Sequence, residues 1–146
     1  MDAFQHVNNV QYIKFFESAR INHFYRIGSK SVKQGRALDF QGFMNATGVG
    51  PILASTSCKY KYPAKYPDTL TACSRIPVDS IGDDKFTMEY RVVSEESGRI
   101  VADGEGVIVM YDYKENKRAT ISDALRKAIE GVEEEEPSFG IGDGLQ

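Results

Sequence analysis

Along residues 9–27 the apolar side chains Tyr12, Ile13, Phe16, Ala19, Phe24 and Ile27 recur mostly every three or four positions. Polar Gln11, Lys14, Ser18 and Asn22 fall between them. This spacing predicts one long amphipathic helix. Asn8 or Asn9 can cap its start and Gly28 is placed to stop it. Residues 29–42, rich in Ser, Lys and Gly, read as a linker. The pattern then changes. Residues 48–62, 69–76, 85–94 and 100–113 are enriched in Val, Ile, Thr and Tyr and predict strands. Pro63 and Pro67-Asp68 separate the first two, Gly82-Asp83-Asp84 precedes the third, and Glu96-Ser97-Gly98 reads as a hairpin turn. The last two strands are long and near-continuous, so they are expected to pair centrally. Residues 122–130 predict a short helix with Ser122 as its cap. From Gly131 onward come four consecutive glutamates, then Pro and Gly, which predicts a disordered tail. One domain over 1–130 and an acidic tail over 131–146 follow. A long helix followed by antiparallel strands is an α+β pattern.

Composition narrows the function. A chain of 146 residues holds one good core. A net charge of −3 gives no reason to expect a nucleic-acid partner. Cys58 and Cys73 form no CxxC pair, and His6 and His23 lack zinc-like spacing from them. Both thiols are expected to be buried and reduced. No apolar run approaches the roughly 20 residues of a membrane helix. The start is neither a signal peptide nor an Arg-rich transit peptide. A cytoplasmic location is expected, or a mitochondrial one if an N-terminal segment is missing.

The chemistry concentrates in Asp2-Ala3-Phe4-Gln5-His6-Val7-Asn8-Asn9-Val10-Gln11-Tyr12, followed by Phe16-Glu17-Ser18-Ala19-Arg20. A carboxylate, an imidazole and two carboxamides immediately precede a helix. The amides of a helix's first turn are unpaired and suit a developing oxyanion. A carboxylate just upstream can hold and deprotonate a water. Asp and Asn are also common helix caps, and by composition alone that reading stays ahead.

The run Asp2 to Asn9, the aromatic at Tyr12 and the Phe-Glu-Ser-Ala-Arg segment resemble the 4-hydroxybenzoyl-CoA thioesterase-like branch of the hotdog superfamily. That branch includes bacterial long-chain acyl-CoA thioesterases. The likeness continues through Tyr60-Lys61-Tyr62-Pro63-Ala64, Pro67-Asp68-Thr69-Leu70, the strand 100–112 and Ala124-Leu125-Arg126. It implies a hotdog fold, a long helix wrapped by a curved antiparallel sheet, and hydrolysis of an acyl thioester. Asp2 matches the catalytic carboxylate, acting as base or nucleophile. His6 matches the histidine that orients water or substrate. Val7, Asn8 and Asn9 lie where helix-start amides polarise the thioester carbonyl. Tyr12 and Phe16 would line an acyl tunnel or belong to the core. Glu17 would be a second polar group in the site or pair with Arg20. The resemblance implies an acyl-CoA or acyl-carrier-protein substrate and a homodimer or homotetramer with sites at the subunit interface. No metal or redox cofactor is implied.

Two departures stand out. The family has a strand before the Asp, and here Met1 occupies that place, so the first strand of the sheet is expected to be missing and the N-terminus shortened. In the plant acyl-carrier-protein enzymes an Asn lies between Asp and His where this chain has Phe4. Lys59, Lys61 and Lys65 would meet coenzyme A phosphates or guard an edge strand. Ser55, Ser57 and Cys58 lie in a strand pattern without a nucleophile elbow. The rival readings are a non-catalytic acyl-thioester-binding subunit and a hydroxyacyl-thioester dehydratase.

Overall fold

The computed structural model describes residues 9–36, 38–65 and 67–135. Helix α1 spans Asn9–Lys33, α2 Phe40–Asn45 and α3 Asp123–Glu135. The strands are β1 Val49–Tyr60, β2 Leu70–Arg75, β3 Lys85–Ser94, β4 Ile100–Asp112 and the two-residue β5 Lys117–Arg118. All pairings are antiparallel, in the order β1-β4-β3-β2, with β5 attached to β4. As expected, the two long strands β3 and β4 lie at the centre. Among the described residues no strand precedes α1, and β2 forms one edge of the sheet.

Strand alternation sorts the sheet into two faces. Phe86, Met88, Tyr90 and Val92 of β3 are buried, as are Ala102, Gly106, Ile108 and Met110 of β4. Tyr12, Phe16, Ala19, His23 and Ile27 of α1 are buried too, and they form the helix stripe that covers the sheet. Glycine allows the close approach. A Cβ on Gly104 would clash with the Ser57 carbonyl oxygen and meet the Phe16 ring at 2.7 Å. Phe16 therefore sinks onto the strand itself and stacks on Tyr90, centroids 4.8 Å apart. The opposite face is charged: Glu89 lies across from Glu105 and Arg91 from Asp103.

Three sequence expectations need correction. Gly28 does not end α1, which continues to Lys33. Gly28 is instead a packing site, because a Cβ there would meet the Phe40 ring at 2.7 Å. The chain turns just beyond the helix, at Gly35, with φ +66°. The linker at 29–42 is accordingly short, and it leads into α2, capped by Asp39, whose Oδ1 accepts from the Gly42 amide at 3.0 Å. Finally, α3 runs to Glu135, five residues into the segment expected to be a disordered tail. Its apolar stripe of Leu125, Ala128, Ile129 and Val132 is buried, so the helical face outweighs the repulsion among its glutamates.

The edge strand β1 is irregular. Its register with β4 shifts between Leu53 and Ser55, which leaves Ala54 as an extra residue.

Candidate active site

Asp2, His6, Val7 and Asn8 lie outside the described residues. Asn9 is the first residue of α1, so the motif runs directly into the helix start. The first turn, Asn9 to Tyr12, contains no acidic residue. Its amides have no intrahelical acceptor, and no carboxylate within the turn offsets their partial positive charge.

Beside this turn stands an aromatic cluster. Tyr12 is buried, with its ring 6.0 Å from Phe15 and 5.7 Å from Tyr60 of β1. Phe16 follows one turn on, flat against Tyr90. Tyr12 and Phe16 thus meet both expectations: they are core residues, and they wall the helix start. Cys58 and Tyr60 share this side of β1, because strand alternation places them with Gly104 and Ala102 of β4. Both are site-lining residues that the linear pattern did not reveal, since Ser, Cys and Tyr alternate with Lys in an ordinary strand run.

Burial raises the Tyr12 pKa, and Cys58, Tyr60 and Asp68 add to the rise by repelling its phenolate. Tyr12 stays a neutral hydrogen-bonding group. Burial also pushes the Cys58 thiol up; the Tyr60 hydrogen bond lowers it by less, and Asp103 adds a small further rise. A thiol raised this way is a poor nucleophile near neutral pH. Asp68, in the matched Pro-Asp turn, is held low by hydrogen bonds, first from Ser94 and then from the backbone of Glu96 and Thr69. It ties the β3–β4 hairpin to the start of β2: the Ser94 hydroxyl donates to it, and so does the Glu96 amide at 3.1 Å.

Glu17 is exposed and makes no ion pair among the described residues. The expected pairing with Arg20 is not formed. Arg20 instead donates to the Tyr90 hydroxyl at 3.2 Å, because its side chain turns toward the sheet. Lys61 pairs with Asp103 at 3.5 Å, and Lys59 lies opposite Asp103 in the β1–β4 register, so both belong to the outer, charged face. That face carries a polar cleft of about 240 Å³, lined in part by Lys59, Arg75, Glu89 and Arg91. The structure therefore separates the two lysines from Tyr12, Cys58 and Tyr60 by the thickness of the sheet. No group of three or more His, Cys, Asp or Glu suited to a metal occurs among the described residues. No described helix is long and apolar enough to cross a membrane.

A long helix laid on a curved antiparallel sheet is an architecture shared with known proteins. The model of the thioesterase-like superfamily matches residues 1–129, and the chain belongs to that family; its fold is the hotdog fold. It is 27% identical over 130 residues to the long-chain acyl-CoA thioesterase FadM of Escherichia coli strain K12, covering 89% of each chain. Among solved structures it is similar to a thioesterase from Thermus thermophilus complexed with coenzyme A and Zn. That likeness has 25% identity and a TM-score of 0.71, over 92% of this chain and 86% of the other. It is also similar to YbaW, a probable thioesterase from Escherichia coli, at 25% identity and TM-score 0.69 over 89% and 88% of the two chains.

Proposed function

We propose that this chain is an acyl-CoA thioesterase that converts acyl-CoA and water to a carboxylic acid and coenzyme A. The observation that carries the reading is positional. The Asp2–Asn9 motif runs into a helix start whose first turn holds no acidic residue and whose flank is a buried aromatic wall.

In this reading the thioester carbonyl oxygen points at the amides of Val7 and Asn8 and of the first turn that begins at Asn9, which stabilise the developing oxyanion. Asp2 takes a proton from a water held with the help of His6. The resulting hydroxide bonds to the carbonyl carbon. The carbon–sulfur bond then breaks, and the departing thiolate takes up the proton that Asp2 had accepted from water, which returns Asp2 to its carboxylate form. A water nucleophile fits the raised pKa of Cys58, the thiol nearest the aromatic wall. The acyl chain lies along Tyr12, Phe16 and Tyr60, and this apolar surface supports a preference for medium or long chains. Glu17 is left out of the reacting set. Lys59 and Lys61 reach coenzyme A phosphates only if the nucleotide passes around the β1 edge. The working unit is a homodimer with the sites at its interface.

The test is thiol release from a panel of acyl-CoAs of increasing chain length and a benzoyl-CoA, with wild type and Asp2→Asn side by side. Hydrolysis that falls about a hundredfold or more in the variant is the expected result, the scale of losing a general base. Equal rates would remove Asp2 from the mechanism. No release from either protein, with acyl-CoA still bound, would replace this reading with a binding subunit. An enoyl product from a hydroxyacyl-CoA would replace it with a dehydratase.

A further inference from the structure

His23 is a buried titratable group that the proposed chemistry leaves unused. It stands on the inner stripe of α1, one turn beyond Ala19, and its ring meets groups from three elements. Nδ1 lies 2.8 Å from the Ser74 hydroxyl of β2 and 3.4 Å from the Arg26 guanidinium of α1 itself. Nε2 faces a Glu133 oxygen of α3 at 3.5 Å without a hydrogen bond. The other charged groups of these elements near the ring are engaged elsewhere: Arg20 with the Tyr90 hydroxyl, Arg75 with Glu89 and Lys30 with Glu135.

A hydroxyl has one proton to give. The Ser74 hydroxyl has two acceptors within reach, His23 Nδ1 at 2.8 Å and the Ala19 carbonyl oxygen of α1 at 3.4 Å. Which one it serves depends on whether Nδ1 carries a proton. Two neighbours fix the tautomer of the neutral ring. A guanidinium only donates, so Arg26 beside Nδ1 calls for a lone pair there, and the Glu133 carboxylate beside Nε2 calls for a proton there. The neutral ring therefore carries its proton on Nε2, and Ser74 donates to Nδ1. A second proton enters at Nδ1 and reverses that bond. Nδ1 then donates to the Ser74 oxygen, and the hydroxyl proton is released to the Ala19 carbonyl. We infer that His23 is a proton-operated latch, which on protonation turns the Ser74 hydroxyl from the ring to Ala19 and ties the backbone of α1 to β2. The charged ring gains attraction to Glu133 and repulsion from Arg26, which is only half-buried and can turn outward. Histidine is the side chain whose charge ordinarily changes between about pH 5 and 8, so the latch works within that range. Ala19 lies three positions beyond Phe16 on the buried stripe, so the latch closes next to the aromatic wall of the helix start.

The test is nuclear magnetic resonance on the full chain between about pH 5 and 8, following the His23 ring nitrogens and the Ala19 carbonyl carbon. It needs no activity, and failure of the proposed catalytic reading would leave it untouched. His23→Gln assigns the ring signals against those of His6, the other histidine. In wild type the neutral ring should hold its proton on Nε2, and the Ala19 carbonyl signal should shift with the same midpoint as the ring. Ser74→Ala removes the hydroxyl. The ring should then still titrate, and most of the Ala19 shift should be lost. Three results would overturn the inference: a wild-type ring whose charge does not change across the range, a neutral ring with its proton on Nδ1, or an Ala19 response that survives Ser74→Ala in full.

Discussion

The two halves of α1 are held to the rest of the molecule by different physics. The N-terminal half is seated by shape. Phe16 presses onto Gly104 and stacks on Tyr90, whose hydroxyl also accepts from Arg20. The C-terminal half is seated by a buried polar clasp. His23 is 1% exposed, and its Nδ1 lies 2.8 Å from the Ser74 hydroxyl of β2. Its Nε2 faces Glu133 of α3 at 3.5 Å without a hydrogen bond. Glu133 also accepts from the backbone amide of Ile76, so one imidazole and one carboxylate join α1, α3 and the end of β2. Apolar packing is tolerant in direction, and a polar network is not. The half beside the helix start is therefore seated mainly by aromatic packing, with bonds to the sheet at its inner end, at Ala19 and Arg20, and the other half is pinned by the clasp.

Substitutions can break this contrast in a definite order. Phe16→Ala empties the largest contact of the N-terminal half and should cost about 3–5 kcal/mol in urea unfolding, as Phe-to-Ala core truncations do. It should also impair long-chain substrates more than short ones. Gly104→Ala should cost about 1–3 kcal/mol, because the added methyl meets backbone as well as a ring. A cost near zero would show that β1 moves freely away from β4. Glu133→Gln acts on the other half. It keeps the acceptor for Ile76 but removes the charge facing His23, and about 1–3 kcal/mol is expected for a disturbed buried polar network. Hydrogen exchange should then rise in α3 and the end of β2 while the first turns of α1 stay as protected as before. Exchange that rises uniformly would erase the distinction between the halves.

The smallest effect is Tyr90→Phe, about 1 kcal/mol for the bond from Arg20. It carries a pH signature. Burial raises the Tyr90 pKa from its ordinary 10.0, against a smaller lowering by Arg20. The folded state therefore keeps a proton that the unfolded chain releases, and stability falls as pH rises from about 10 through the higher folded value. Tyr90→Phe should flatten that fall in melts between pH 9 and 11.

What the sequence shows about this fold follows from the range of each signal. The central strands are legible to within a residue or two because alternation is local, and residues 85–94 match β3 at both ends. The end of α1 is not legible in this way: Gly28 is a stop signal by local rule, whereas its glycine is needed by Phe40, twelve positions on. The last turns of α3 hide behind a run of glutamates, although Ile129 and Val132 carry the helical spacing. The His23–Ser74–Glu133 clasp has no local signature at all, since its members stand 51 and 59 positions apart in the chain. For the site, the motif spacing points to the helix start. The structure adds Cys58 and Tyr60, which only strand pairing can bring beside Tyr12.

The displaced register in β1 has a further consequence, for the behaviour of the protein in a crowded solution. Among the described residues β1 is a twelve-residue strand at the sheet edge, and such an edge offers its outer row of amides and carbonyls to a passing extended chain. The extra residue at Ala54 divides that row into two shorter runs that are out of phase. A foreign strand in register with one run is out of register with the other, so open-ended stacking into fibres loses its template midway.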